Sequence, residues 1–137
     1  MAGRKFTYET VVTETQLDAF GHMNHARYLE VFEDARWDLI TRAGYDLPRI
    51  QSSGLGPTIL EVSVRYRKEL RARQKIKVET QCVSYKGKIG RLSQRMLDEK
   101  GLECCTAEIV IALFDIHARK LVPPTPEWKR AIGLDER

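Results

Sequence analysis

Long apolar runs are missing from this chain of 137 residues. Nothing in it approaches the roughly 20 consecutive apolar residues that a helix needs to cross a bilayer, so no membrane-spanning helix is expected. Cysteine is scarce. Cys82, Cys104 and Cys105 are odd in number and show no Cys-x-x-Cys spacing, which argues against a disulfide framework and against a cysteine zinc site. The opening MAGRKFTYET has no apolar stretch of the signal-peptide kind, so no secretory leader and a reduced, cytoplasmic setting are expected. Aromatics are only 8% of the residues, few for a surface on which nucleic-acid bases would stack. Repeats, low-complexity tracts and linkers are absent too, so residues 1–137 read as one domain.

What is present is an ordinary globular balance. Hydrophobic residues make up 42% and charged residues 31%, which excludes overall disorder. The net charge of +4 is mild and suits any polyanionic ligand without choosing one. Its distribution says more. Acids crowd the stretch up to Asp38, whereas Arg65 to Arg95 is dense in Lys and Arg.

Periodicity organises the chain. Phe6 to Thr13 alternates and reads as a strand. The polar, Gly-punctuated LDAFGHMN reads as a loop. From His25 the period changes: Tyr28, Val31, Phe32, Ala35, Leu39 and Ile40 recur at three- and four-residue steps, the pattern of an amphipathic helix of about five turns. Asn24 is placed to cap its start and Gly44 to stop it. A short turn or helix covers Leu47 to Gln51. After Pro57 four strands are expected in succession, joined by hairpin-like turns. The first has one buried parity that includes Tyr66, and the last, Glu103 to Phe114, is apolar on both parities. Cys104 and Cys105 are adjacent, so at most one of them faces a given side of a strand. PEWKRAIG is expected to close the chain as a short helix. One helix with a stripe to bury and one antiparallel sheet with a face to bury pack most economically as a sheet wrapped around the helix, an α+β architecture.

The densest polar cluster is Asp18, His22, Asn24 and His25, with Tyr28 one turn into the helix. A carboxylate ahead of a helix start lies beside free amides and the positive end of the helix dipole. Those amides can hold a developing oxyanion, and the carboxylate can act as base or nucleophile. Simple capping of loop and helix by Asp18 and Asn24 is the competing reading. His22, His25 and Asp18 also have the composition of a metal triad, but they share a loop and not a helix face, so no metal is expected.

The segment LDAFGHMNHARYLEVFEDARWD resembles the active-site region of the hotdog-fold acyl-CoA thioesterases, the YbgC/FadM-like branch of the 4-hydroxybenzoyl-CoA thioesterase family. The likeness continues through VSVRYRKEL, the KGKIG turn and the last apolar strand, roughly residues 5 to 116. It implies a hotdog fold, an antiparallel sheet wrapped around one long helix, in subunits that assemble as dimers or dimers of dimers. It implies hydrolysis of an acyl-CoA thioester with no cofactor. Asp18 matches the family's catalytic carboxylate. His22 matches a histidine of the related plant enzymes, Asn24 lies at the loop-to-helix junction, and Tyr28 matches an aromatic on the helix. His25 stands where the FadM-like pattern often has a second Asn, and Phe20 where the plant enzymes have an Asn that assists the carboxylate. That last departure favours a more direct role for Asp18.

The basic strands fit the phosphates of CoA, since Arg pairs bidentately with phosphate and Lys supplies a point charge. Arg65, Arg67, Lys68, Lys86, Lys88 and Arg91 are the candidates, two or three of them expected to touch CoA. Another hotdog enzyme, a hydratase or dehydratase, and a non-catalytic acyl-CoA-binding module remain as alternatives; no nucleic-acid partner is expected. Should the loop not be catalytic, Glu61 and Glu69 are the next acids to consider.

Overall fold

In the computed structural model, which describes residues 2–134, the amphipathic stretch forms helix α1, His25–Arg42. The Asn24 side-chain oxygen accepts the Ala26 amide at 2.9 Å, satisfying one of the first-turn donors that a helix leaves open. Tyr28, Val31, Phe32, Ala35, Leu39 and Ile40 are all buried, the stripe that the spacing predicts. Two short helices, α2 (Leu47–Ser53) and α3 (Pro126–Ala131), begin with an Asp46 and a Thr125 cap and carry proline in the first turn. A bidentate Arg49–Glu127 pair ties them together. Among the described residues no helix is long and apolar enough to cross a membrane.

Six antiparallel strands make one sheet: β1 (Lys5–Val11), β2 (Leu55–Tyr66), β3 (Lys75–Lys86), β4 (Ile89–Leu97), β5 (Glu103–Asp115) and β6 (Lys120–Val122). Their order is β1-β3-β4-β5-β2, with β6 added to β5. One face of this sheet closes over α1. Ile76, Val78 and Cys82 of β3, Leu92 and Met96 of β4, and Ile109, Ile111 and Leu113 of β5 share a core with the helix stripe. Trp128 of α3, fully buried, seals the end far from Asn24. This is the hotdog architecture, an antiparallel sheet wrapped on one long helix.

Three expectations change. The strands from β2 onward are not all joined by hairpins, because β2 pairs with β5 and not with β3. The segment between them crosses the molecule, and Leu70, fully buried, anchors it in the core. Tyr66 is 48% exposed, with Leu60 at 45% and Val62 at 44%, because β2 is an edge strand with a single neighbour. Finally, both Cys104 and Cys105 are buried. Met96 pairs with Cys105 and Leu97 with Glu103, so a bulge at Cys104 breaks the alternation. Burial pushes the Cys105 thiol up to about 12, which leaves a packed and unreactive sulfur.

The crossing segment is pinned electrostatically. Asp98 has a side chain only 2% exposed and meets Lys68 Nζ at 2.8 Å. Its other oxygen accepts the amides of Lys100 and Leu102. The Lys68 ammonium first, then the Leu102 amide, lower its carboxyl from 3.8 to about 2. A carboxylate depressed on folding stabilises the native state above its unfolded value, and that contribution disappears as pH falls through the folded value. Asp98→Asn is therefore expected to melt below wild type at neutral pH. The gap in melting temperature should close between pH 3.8 and about 2, as followed by circular dichroism. A gap that persists unchanged at the lower pH would show that the charge is not what matters.

Candidate active site

The loop ahead of α1 folds on itself because of Asp18. Its Oδ1 accepts the Phe20 amide at 2.9 Å and the His22 amide at 3.2 Å, an Asx turn. Leu17 and Met23 close the loop as an isolated antiparallel bridge, and the Asn24 amide donates to Gln16 O at 2.8 Å. Asp18 is half-buried, and its Oδ2 makes no hydrogen bond among the described residues. The carboxylate therefore shapes the loop with one oxygen and keeps the other uncommitted.

At the start of α1 the first-turn donors are divided. The Ala26 amide goes to the Asn24 side chain and the Arg27 amide to Asn24 O. The His25 N–H has no acceptor among the described residues. It sits at the positive end of an 18-residue helix, where the dipole and an open donor together favour negative charge.

Loop and helix start are held by the segment that leaves β2. Tyr66 Oη donates to His25 O at 2.8 Å, and its ring meets those of Tyr28 and His25 edge-on. Tyr28 is buried, its hydroxyl donating to Lys68 O at 3.3 Å, and burial pushes that hydroxyl up to about 12. The Met23 amide donates to Leu70 O at 2.8 Å. Glu69 Oε2 lies 2.7 Å from His22 Nε2, which fixes the imidazole, and Arg71 stands 3.9 Å from the same carboxylate.

All five residues singled out around the loop thus lie in one neighbourhood, although Tyr28 is a packed hydroxyl rather than an open one. Tyr66 and Glu69 were not counted among them. Glu69 had been considered only as a substitute for the loop, whereas it is joined to it; Glu61 is exposed on the other parity of β2. No turn signal in KELRARQ shows that this stretch runs back past the helix start. Among the described residues no three His, Cys, Asp or Glu side chains converge on a metal-sized site.

The six basic candidates do not gather. Arg65 and Arg67 line a polar hollow of about 160 Å³ on the sheet's outer face, with Ser63, Ser93, Thr106 and Glu108. Arg67 also stands 3.6 Å from Glu103. Lys68 is occupied by Asp98. Lys86 and Lys88 flank Gly87 at the tip of the β3–β4 hairpin, and Arg91 lies partway along β4 opposite Val110. Arg95 is in register with Thr106 and hence with Arg65, and Lys88 is about 23 Å from it along the strand. Arg65 and Arg67 are at the end of the sheet near the Asp18–Asn24 loop, and the two lysines at the opposite end.

On the core side of β2, a cavity of about 100 Å³ opens between α1 and the sheet. Trp37, Ile40, Ile59, Ile111 and Trp128 are among its lining residues, and Glu33 and Arg36 border it from the helix.

Residues 12–132 match the family model described as the thioesterase-like superfamily. The chain is 30% identical over 125 residues to an L-carnitine dehydrogenase/betainyl-CoA thioesterase of Agrobacterium fabrum, covering 91% of this chain and 26% of that protein. It thus spans about a quarter of that relative's length. It is 28% identical over 105 residues to the long-chain acyl-CoA thioesterase FadM of Escherichia coli, covering 76% of this chain and 79% of FadM. Among solved structures, a hypothetical protein of Staphylococcus aureus in complex with CoA superposes with a TM-score of 0.88 at 23% identity, over 96% of this chain and 84% of that one. That likeness is one of fold, and it agrees with the sheet-on-helix order found here. By a match that runs from the end of β1 to the end of α3, the chain belongs to the thioesterase-like superfamily.

Proposed function

We propose that the protein is an acyl-CoA thioesterase that splits a fatty or aromatic acyl-CoA into free acid and CoA, and that residues 1–137 act as one hotdog thioesterase domain. The family match and the relatives named for betainyl-CoA and long-chain acyl-CoA thioesterase activity support the reaction class. The observation that carries the reading is the unpartnered His25 N–H at the helix start, on the same short loop as a carboxylate with one free oxygen.

A thioester carbonyl needs a donor for the charge that develops on its oxygen, and its thiolate leaves with little acid assistance. The His25 amide would hold that oxygen; loss of one such donor typically costs about 2.7–4 kcal/mol of barrier. Asp18 Oδ2 would take a proton from the attacking water, or attack the carbonyl carbon itself to give an anhydride that water opens. Asn24 keeps the helix start in place, His22 borders the centre, and Tyr28 with Tyr66 sets the depth of the helix under the sheet. Arg65 and Arg67 are the best placed of the basic candidates to meet CoA phosphates. Lys86, Lys88 and Arg91 would require the nucleotide to extend along the outer face.

The 2.7 Å contact between His22 Nε2 and Glu69 Oε2 favours a second assignment, in which His22 is the base, Glu69 orients it, and Asp18 only builds the turn. Variants separate the two. Asp18→Asn keeps the size and much of the hydrogen bonding, so near-native melting is expected. If Asp18 is the base, kcat for thiol release falls at least about 100-fold and Glu69→Gln has a small effect. If Asp18→Asn stays active while His22→Ala and Glu69→Gln both collapse, His22 is the base. Activity retained in all three would remove the loop from catalysis.

The exposed edge of β2, with Leu60, Val62 and Tyr66 open, supports a homo-oligomer, dimer or dimer of dimers, built on that edge. An unpaired apolar edge strand invites a second copy. Sedimentation equilibrium at micromolar concentration is expected to give at least a dimer, and Val62→Lys to shift it toward monomer. A monomeric wild type would refute this assembly.

A further inference from the structure

Among the described residues Arg36 is the one cation lining the mostly apolar cavity between α1 and the sheet, which Glu33 also borders, and no ion pair neutralises it. It is partly buried, and burial lowers its guanidinium from its ordinary value. Among the described residues no carboxylate lies within ion-pair distance of it; Glu33, one turn back, acts on it only through space. A guanidinium offers five donors, and Arg36 spends one, from Nη1 to Gln94 Oε1 at 2.9 Å.

Gln94 is fully buried and cannot turn over. Its Nε2 donates to Phe32 O and to Thr80 Oγ1, both at 3.0 Å. Phe32 O can only accept, so the amide oxygen must face Arg36. This network fixes Nη1 of the guanidinium and leaves its other nitrogens partly exposed and open to a ligand. A partly buried cation beside Trp37, Ile40, Ile59 and Ile111 favours an anionic partner.

The cavity and the loop lie along the same helix. Leu29, Glu33 and Trp37 follow one another at four-residue steps on α1, and Glu33 and Trp37 border the cavity together with Ile59 of β2. From His25 to Arg36 the helix advances about 17 Å, and the Arg36 side chain leans back toward the start. The cavity of about 100 Å³ is large enough for the end of a chain and too small for the whole of one.

Resting on the thioesterase reading, we infer that Arg36, fixed by Gln94, is a specificity residue that receives a carboxylate at the far end of the acyl group, so that the preferred substrates are medium-length ω-carboxyacyl thioesters and not methyl-ended ones. A carboxylate there accepts two parallel N–H bonds from the guanidinium, while the methylenes behind it lie along the apolar wall.

The test compares an ω-carboxyacyl-CoA series with methyl-ended acyl-CoAs of the same carbon counts, by thiol release. Wild type is expected to show the higher kcat/KM for the carboxylate-ended member at one medium length. Arg36→Met keeps the length of the side chain and should lower that preference about tenfold to a hundredfold, mainly through KM, with methyl-ended substrates unaffected or improved. Arg36→Lys keeps the charge and should restore part of it, which also covers a Met variant that fails to fold. Equal preference in wild type overturns the inference while leaving thioesterase activity intact. So does a Met variant that changes only the sedimenting mass, since Arg36 would then pair with a second copy. If no acyl-CoA releases thiol, the thioesterase reading fails by itself, and thermal shift with the same two ligand series decides the matter: stabilisation of wild type, but not of Arg36→Met, by the carboxylate-ended series upholds the carboxylate site, and no difference rejects it.

Discussion

The stretch from Tyr66, the last residue of β2, to Leu70 leads out of the sheet, and yet it sets the position of the site. It delivers a hydroxyl to His25 O, a backbone oxygen to the Tyr28 hydroxyl, a carboxylate to His22, and a second backbone oxygen to the Met23 amide. Its own position is fixed from behind. Leu70 is in the core, Lys68 is paired with the buried Asp98, and the amides of Arg67 and Lys68 both donate to Cys104 O, at the bulge in β5. Two loops that would each be mobile alone are thereby joined to the sheet. The start of α1 is held in place, as the proposed oxyanion site would require, since such a site tolerates little displacement.

That constraint also divides the molecule's charges by face. The outer face of the sheet carries the Arg65 and Arg67 hollow, near the loop. The inner face is apolar except for the chain of Arg36, Gln94 and Thr80 beneath the helix. A substrate with an anionic carrier and an acyl group of its own chemistry would meet the two faces separately, with the loop between them. Ile59 of β2 lines the cavity and lies next in sequence to the exposed Leu60, so the proposed assembly edge and the proposed acyl site are neighbours on one strand.

Much of this was legible in the amino-acid sequence. The helix could be read from Tyr28 to Ile40 because its apolar residues recur with a period that solvent-facing residues do not share. Asn24 as its cap follows from the free amides that any helix start exposes. The loop residues were legible through a resemblance of local pattern, and Asp18 could be singled out as the acid ahead of the helix. Tyr66 and Glu69 were harder, for two physical reasons. Alternation reports which residues share a face, not whether a neighbouring strand covers that face, so an edge strand reads like an interior one. A segment with no glycine, no proline and mixed polarity gives no sign of where it crosses. The pairing of β2 with β5 is a contact of high sequence separation, and periodicity within one strand carries no information about it. The bulge at Cys104 was equally silent, because one inserted residue changes burial without changing composition. Arg36 was invisible as a functional residue, since on a helix surface an arginine is ordinarily a solvated group, and only the Gln94 amide below it makes it otherwise.

The central claim is that the β2 exit positions the helix start for chemistry, and Tyr66 carries the link made to the first helical residue itself, 2.8 Å to His25 O. The most direct measurement is kcat/KM for acyl-CoA hydrolysis by Tyr66→Phe, which removes one hydroxyl and keeps the ring against Tyr28 and His25. One hydrogen bond of ordinary strength predicts a fall of about threefold to tenfold, with the melting temperature close to wild type. An unchanged kcat/KM would mean that the helix start keeps its geometry without the strand, and would contradict the account.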